Sequence, residues 1–458
     1  MWNGFARLAV VAAFVLASIA GAAGAQQISQ VQHVVVIFQE NRTPDNLFHG
    51  LQAYLPSADI ANSGVNSKGQ TIPLTAVRLA NDYDPKHMHE AFTAMWDKGK
   101  MDGADLIECV ADPGTTCPAN AQFKYVTPTD VTPYFFLAVH YGFANRMFQS
   151  NQGPSYPAHQ FIIAGTSQLS ATSTWFAADS PRLGAAKGTG CASPSYERES
   201  MIGPNGITEL LFPCFEHATL TDLLDNPPAG ARQGLTWRYY TPSVGSIWTA
   251  PNSIEHMCMP SGAPLACNGS PFTNGQIVLE PAQILTDVRN KALPSVAWVI
   301  PNGLESDHAA GNDGSGPSWV ASIVNAIGHS AYWKSTVILI TWDDWGGWYD
   351  HVAPPLDPVY PYYENGFRVP LLVVSPWTRA GYVSQQTHTF GSILKFIETA
   401  YGLPLIPPGN FADARSDALL DFFNFNAAPR PFQTIPAELP EDFFLHDKRP
   451  KTDPDDDD

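Results

Sequence analysis

Apolar and polar positions fall in blocks along this chain, and the blocks predict strands followed closely by polar clusters. Gln32 to Phe38 (Gln-His-Val-Val-Val-Ile-Phe) is a near-continuous apolar run rich in β-branched side chains, which predicts a strand buried on both faces. Ser295 to Ile300, Thr336 to Trp342 and Val369 to Val374 read the same way, and Thr236 to Tyr240 is a further strand. Helical spacing fills the gaps. Val131 to Tyr141 repeats Tyr134, Leu137, Ala138 and Tyr141, and Thr389 to Tyr401 places Ile393, Phe396, Ile397 and Tyr401 on one face. Pro281 to Ala292 and Trp319 to Ile327 are also helical, and Thr219 to Leu224 opens as a capped helix. Strands alternating with helices predict an α/β fold with a parallel or mixed sheet.

The polar clusters stand just after the strands. Glu40-Asn41-Arg42-Thr43 follows the first, and Glu305-Ser306-Asp307-His308 follows the strand at 295–300. Asp343-Asp344-Trp345-Gly346-Gly347-Trp348-Tyr349-Asp350-His351 follows the strand at 336–342. In open parallel sheets that rim is where ligands bind. Each cluster alone is also ordinary turn chemistry. Glu and Asn are oxygen ligands for hard or borderline cations. His87 and His89 sit two apart and cannot share a helix face, so one of them is expected to point into a site. Pro154 and Pro157 flank Ser155 and predict a rigid, non-helical segment from Asn151 to His159. Such a segment can hold a nucleophile in attack geometry, or make a plain turn.

Composition narrows the function class. The 458 residues are 44% hydrophobic and carry a formal charge of -18, so phosphate backbones are not attracted and nucleic acid is not an expected partner. Arg7, the apolar run Leu8 to Ile19 and Ala23-Gly24-Ala25 read as a secretory signal peptide over residues 1–25. That run is too short to span a membrane, and no other reaches about 18 uninterrupted apolar residues, so no transmembrane segment is expected. The expected location is secreted or periplasmic. Six cysteines suit an oxidising compartment. Short spacings favour Cys109–Cys117 and Cys258–Cys267, leaving Cys191–Cys214, with other pairings open; no CxxC supports a thiolate zinc site. Residues 26–440 read as one catalytic domain, with a loop-rich, cysteine-bearing insertion or cap at about 167–275. Residues 441–458 read as an acidic, disordered tail. There is no internal repeat.

The ordered set His33-Val-Val-Val-Ile-Phe-Gln-Glu40-Asn41-Arg42-Thr43, Gly153-Pro154-Ser155-Tyr156-Pro157, Ser306-Asp307-His308 and Thr341 through Pro355 resembles the bacterial phosphoesterase family. That family contains secreted non-specific phospholipases C and acid phosphatases. Phe367-Arg-Val-Pro370, Ser375-Pro376 and His388 also match, so the resemblance covers most of residues 30–402. It implies an alkaline-phosphatase-like α/β fold, a mostly parallel sheet flanked by helices with disulfide-bearing insertions. It implies one divalent metal ion (Ca, Mn, Mg or Zn) held by Glu40, Asn41, Asp343 and Asp344. It implies Ser155 as nucleophile, with His87, His308 and His351 around the phosphate. Two positions depart from the family pattern: Asp344 where Glu is frequent, and Asn145 where an Asp is common. The choline-specific subgroup carries extra C-terminal domains, and the residues after 402 leave no room for them.

Physically, three carboxylates around one point repel unless a cation offsets them. A metal would favour the alkoxide of Ser155, and a histidine would protonate the leaving alcohol. The expected activity is a phosphoric-ester hydrolase with a phosphoseryl intermediate, acting on a phospholipid or a small phosphomonoester. A non-catalytic extracellular binding protein on the same fold is the alternative. A sulfatase is disfavoured, because Cys/Ser-x-Pro-x-Arg is absent at Ser155. Asp350 is read as a partner behind the site or a turn cap. Trp342, Trp345 and Trp348 are read as a substrate wall or as core. The sequence leaves the oligomeric state open.

Overall fold

The computed structural model describes residue 28 and residues 30–181, 188–262 and 265–452. The signal peptide expected over 1–25 and the run of aspartates after 452 lie outside the described residues. Eight strands form one sheet: β1 (His33–Gln39), β2 (Gly142–Ala144), β3 (Trp237–Tyr240), β4 (Ile277–Val278), β5 (Val296–Val299), β6 (Thr336–Trp342), β7 (Leu371–Val374) and β8 (Tyr382–Ser384). Their order is β4-β3-β5-β1-β6-β7-β2-β8. The first five are parallel; β7 runs antiparallel to β6 and to β2, and β8 pairs parallel with β2. The sheet is therefore mixed and mostly parallel, as the alternation of strands and helices predicts.

β1 lies at its centre because it is apolar on both faces: Val34 to Phe38 are all fully buried. Helices cover the sheet in two groups. One is α1 (Thr132–His140), α4 (Gln283–Arg289) and α5 (Gly316–Gly328); the other pairs α2 (Ser155–Ala164) with α6 (Phe390–Tyr401). The short helix α3 (Leu220–Asp225) starts on a Thr219–Asp222 capping box. Ser150 Oγ accepts from the Phe390 N–H (3.1 Å), tying the loop before α2 to the start of α6.

Three expectations change. The Asn151–His159 segment is not wholly non-helical: α2 begins at Ser155, with Pro154 as its N-cap. Pro157 falls in the first turn, where a missing N–H removes no intrahelical bond. The stretch 167–275 is not one insertion, because it hands β3 to the central sheet. Around β3 it adds a small antiparallel sheet (Phe176–Ala177, Glu199–Ile202, Thr208–Leu211) and two disulfides, Cys191–Cys214 and Cys258–Cys267. Cys109–Cys117 is the third disulfide. The tail is ordered through 452: Glu441–His446 is helical, and Phe444 is buried with its ring 5.4 Å from that of Trp319. The apolar pair Phe443-Phe444 anchors a stretch whose charge predicts a solvated end. Among the described residues no helix is long and apolar enough to cross a membrane.

Candidate active site

The register of β1 against β6 builds the site. Gln39 is paired with Trp342, so Glu40 and Asp343 are the next residues along two neighbouring strand tips. The Asp343 N–H donates to Gln39 O (2.9 Å), extending the ladder by one step. Asn41 turns the chain at φ 59, a left-handed conformation that Asn tolerates better than most side chains. The tip of β6 turns through Gly346 and Gly347 at φ 60 and 69. A Cβ on Gly346 would lie 2.5 Å from Asn41 O, so the close approach of the two tips requires glycine there.

Backbone donors orient both aspartates. Asp343 Oδ1 accepts from the N–H groups of Asn41 (2.9 Å) and Asp344 (2.7 Å). Asp344 Oδ1 accepts from the Gly346 N–H (2.6 Å). The second oxygens are thereby turned into the site. Asp344 Oδ2 lies 3.3 Å from Ser155 Oγ. Asp343 Oδ2 is buried with no hydrogen-bond partner among the described residues. Glu40 Oε2 and Asn41 Oδ1 complete the surroundings of Ser155 Oγ, at 3.3 and 3.4 Å. Burial, reinforced by Asp343 and Asp344, pushes the Glu40 carboxyl well above the usual range. This donor set fits a divalent cation: three buried carboxylates crowd one point, and one of their oxygens is left unpaired.

Ser155 is the first residue of α2 and is 1% exposed. The helix N-terminus directs backbone N–H groups and partial positive charge toward it, which favours an oxyanion or a phosphoryl group there. The preceding turn is fixed by side-chain amides. Gln149 Nε2 (3.0 Å) and Asn151 Nδ2 (2.7 Å) both donate to Gly153 O.

Two of the three expected histidines join this group. His87 Nδ1 meets Pro85 O (3.1 Å), so it carries the ring hydrogen, and Nε2 accepts from Asn41 Nδ2 (3.0 Å). His89 instead turns to Gln152 O (2.6 Å). His308 donates from Nδ1 to Ala309 O (2.7 Å), and its ring lies 6.0 Å from that of His87. The third, His351, does not come to Ser155. Its Nδ1 is 2.7 Å from Asp45 Oδ2 and its Nε2 3.1 Å from Asp59 Oδ1. It belongs to an ionic group with Arg368, which holds Asp350 through Nε (2.7 Å) and Nη2 (2.9 Å). Asp350 is thus the partner of a buried arginine. The three tryptophans are fully buried core: Trp342 donates to Asp307 Oδ2 (2.9 Å), Trp345 packs on Phe92 and Phe367, and Trp348 lies under Arg42.

One residue of the site escaped the sequence reading. His159 is fully buried, with Nε2 3.1 Å from Glu40 Oε1 and 4.0 Å from Asp343 Oδ2. Burial lowers its pKa to about 4. It follows Ser155 by four residues, which places both on one face of a helix. That signal becomes visible only once α2 is known to start at Ser155.

The model of the Phosphoesterase family matches residues 31–404. Phospholipase C A of Mycobacterium tuberculosis (strain ATCC 25618 / H37Rv) is 22% identical over 443 residues, which cover 88% of this chain and 79% of its own. Phospholipase C B of the same strain is 24% identical over 456 residues, covering 88% and 80%. Non-specific phospholipase C1 of Arabidopsis thaliana is 23% identical over 462 residues, covering 90% and 74%. Among solved structures, a protein in the alkaline phosphatase superfamily from Vibrio parahaemolyticus overlaps 85% of this chain and 69% of its own. That overlap has a TM-score of 0.37 and 9% identity, too loose to add to the sheet order above.

Proposed function

This chain belongs to the phosphoesterase family and is a phosphoester-hydrolysing enzyme, and from that premise we propose that it is a secreted, metal-dependent phospholipase C-like hydrolase with Ser155 as nucleophile. One observation carries the assignment of Ser155. Its Oγ stands at a helix N-terminus within 3.3–3.4 Å of Glu40, Asn41 and Asp344, which come from two other segments of the chain. A merely structural serine has no need of two carboxylates and an amide oxygen on one hydroxyl.

Glu40, Asn41, Asp343 and Asp344 would hold the divalent cation, which when bound supplies charge neutralisation for the phosphate and acidifies the serine hydroxyl. The chain's own groups account for the rest. Ser155 Oγ loses its proton to a neighbouring carboxylate, Asp344 Oδ2 at 3.3 Å being in reach. The Oγ–P bond forms and the P–O bond to the alcohol breaks. His308 gives the proton to the leaving oxygen: its Nδ1 is spent on Ala309 O, and its Nε2 has no hydrogen bond among the described residues. Nε2 of His87, by contrast, is engaged by Asn41. Water then attacks the phosphoserine, the Oγ–P bond breaks as the proton held on Asp344 returns to Oγ, and the phosphomonoester or phosphate is released. The N–H groups at the start of α2 receive phosphoryl oxygens. The three disulfides and the signal-peptide pattern over 1–25 support secretion.

Phosphatidylcholine and p-nitrophenyl phosphate hydrolysis, with and without chelator, test this reading in the wild type and in Ser155→Ala. The expected result is cleavage of phosphatidylcholine to a phosphomonoester, abolished by chelation and by the substitution. Full activity in Ser155→Ala would sink the nucleophile, and activity on the monoester alone would favour an acid phosphatase.

A further inference from the structure

Glu40 faces two ways. Its Oε2 lies 3.3 Å from Ser155 Oγ, beside Asn41 and Asp344. Its Oε1 lies 3.1 Å from His159 Nε2, which is in turn 4.0 Å from Asp343 Oδ2. These last three ligand atoms all lie within 4.8 Å of one another, on side chains with no solvent exposure. Neither His159 nor Asp343 is among the hydrogen-bonding neighbours of Ser155. The site therefore has two lobes that share the Glu40 and Asp343 side chains.

The hydrogen-bond pattern says what the second lobe lacks. Tyr239 Oη gives its proton to Trp248 O at 2.8 Å. His159 Nδ1 lies 3.5 Å from that hydroxyl. Nε2 shares a hydrogen bond with Glu40 Oε1 at 3.1 Å and lies 4.0 Å from Asp343 Oδ2. Asp343 Oδ2 has no hydrogen bond within 3.5 Å among the described residues, although its other oxygen is held by two backbone donors. An imidazole nitrogen and two carboxyl groups converge here in the interior, a mixed nitrogen and oxygen donor set that a cation would draw together. The ring plane is fixed for the purpose: Phe38 packs edge-on at 4.9 Å and Trp248 lies nearly parallel at 6.3 Å.

We propose that Glu40 and Asp343 are shared between two cation positions, the second bound by His159 Nε2, Asp343 Oδ2 and Glu40 Oε1. This rests on the cation-binding reading of Glu40, Asn41, Asp343 and Asp344 above. The spacings of 3.1 and 4.0 Å bracket the separation of about 3.3–3.5 Å between ligands on a tetrahedron with bonds of about 2.0–2.1 Å. The imidazole also narrows the ion. Calcium prefers oxygen throughout, whereas zinc, manganese and other first-row ions accept a mixed nitrogen and oxygen set.

The test loads the full chain, stripped of metal, with Mn²⁺ and measures ions per chain by elemental analysis and ¹⁴N coupling by pulsed EPR. The expected result is two ions with ¹⁴N coupling in the wild type, and one ion without that coupling in His159→Ala. His159→Gln serves as a second variant if His159→Ala does not fold, since its side chain can still hydrogen-bond Glu40. One ion in the wild type, two ions in both proteins, or two ions without ¹⁴N coupling overturns the proposal while leaving the primary site intact. Absence of any bound ion overturns the cation reading itself.

Discussion

The Asn41 N–H donates to Asp343 Oδ1 at 2.9 Å, joining two residues 302 positions apart in the chain. The bond ties the tip of β1 to the tip of β6 just beyond their last ladder pair, Gln39 with Trp342. It also decides the job of each Asp343 oxygen: one is bound by the backbone and the other is turned, unpaired, into the site.

Asp343→Asn separates those two jobs. The amide oxygen can still accept from Asn41 and Asp344, while the anionic Oδ2 is lost. We expect divalent-ion affinity to fall by at least about 100-fold, with thermal stability of the metal-free protein unchanged or raised. Calorimetric titration and thermal unfolding after chelation measure both. Unchanged affinity would show that Asp343 is not a ligand.

The strands that frame the site were legible because β1 and β6 are apolar on both faces, which leaves few other structures for such runs. Their tips were legible because carboxylates gather immediately after them. His159 was not, because its link to Ser155 is the i, i+4 relation of a helix, and Pro157 between them reads as a helix breaker until its first-turn position is known. The family resemblance implies a place for His351 at the phosphate, but a motif match does not show that Asp45 and Asp59 claim both ring nitrogens.

Gly346→Ala should damage the site from outside it. The residue has φ 60, and its Cβ would meet Asn41 O at 2.5 Å. We expect a loss of about 2–4 kcal/mol in stability and a larger fractional loss in activity, because the backbone that must yield carries a candidate ligand. Urea unfolding alongside turnover checks this. Equal activity per folded molecule would mean the tips tolerate separation.

Asn145→Asp tests a position where the family commonly has the acid. Here the amide is in use: Nδ2 donates to Ser57 O (2.7 Å) and Gln385 Oε1 (3.1 Å), while Oδ1 accepts from the Asp59 N–H (2.8 Å). A carboxylate keeps the acceptor and loses both donations. The expected cost is about 1–3 kcal/mol in unfolding free energy, with kcat nearly unchanged. A stabilised variant would contradict this.

His351 makes stability depend on pH. Burial opposes its charge, but the Asp45 hydrogen bond and the Asp350 charge outweigh burial and raise its pKa above the ordinary 6.5. The folded chain therefore holds this proton more tightly than the unfolded one. The resulting stabilisation is complete below about pH 6.5 and is lost as pH rises through the folded value. The stability gap between wild type and His351→Gln should be widest near pH 6 and shrink toward pH 9. Urea unfolding across that range measures it; a gap that widens with pH would reverse the assignment.

His308→Gln distinguishes an acid from a structural histidine through the leaving group. The alcohol released from a phospholipid is a poor leaving group and needs a proton as the P–O bond breaks, whereas p-nitrophenolate departs without one. If His308 supplies that proton, kcat on the lipid should fall about 10²–10⁴-fold and kcat on the nitrophenyl ester less than about tenfold. A structural role predicts equal losses, because a displaced site fails both substrates alike. The neighbouring His87 supplies the contrast. Its Nε2 is engaged by Asn41 Nδ2 at 3.0 Å, so His87→Gln should lower both activities together. A selective loss in His87→Gln and a uniform one in His308→Gln would exchange the two roles.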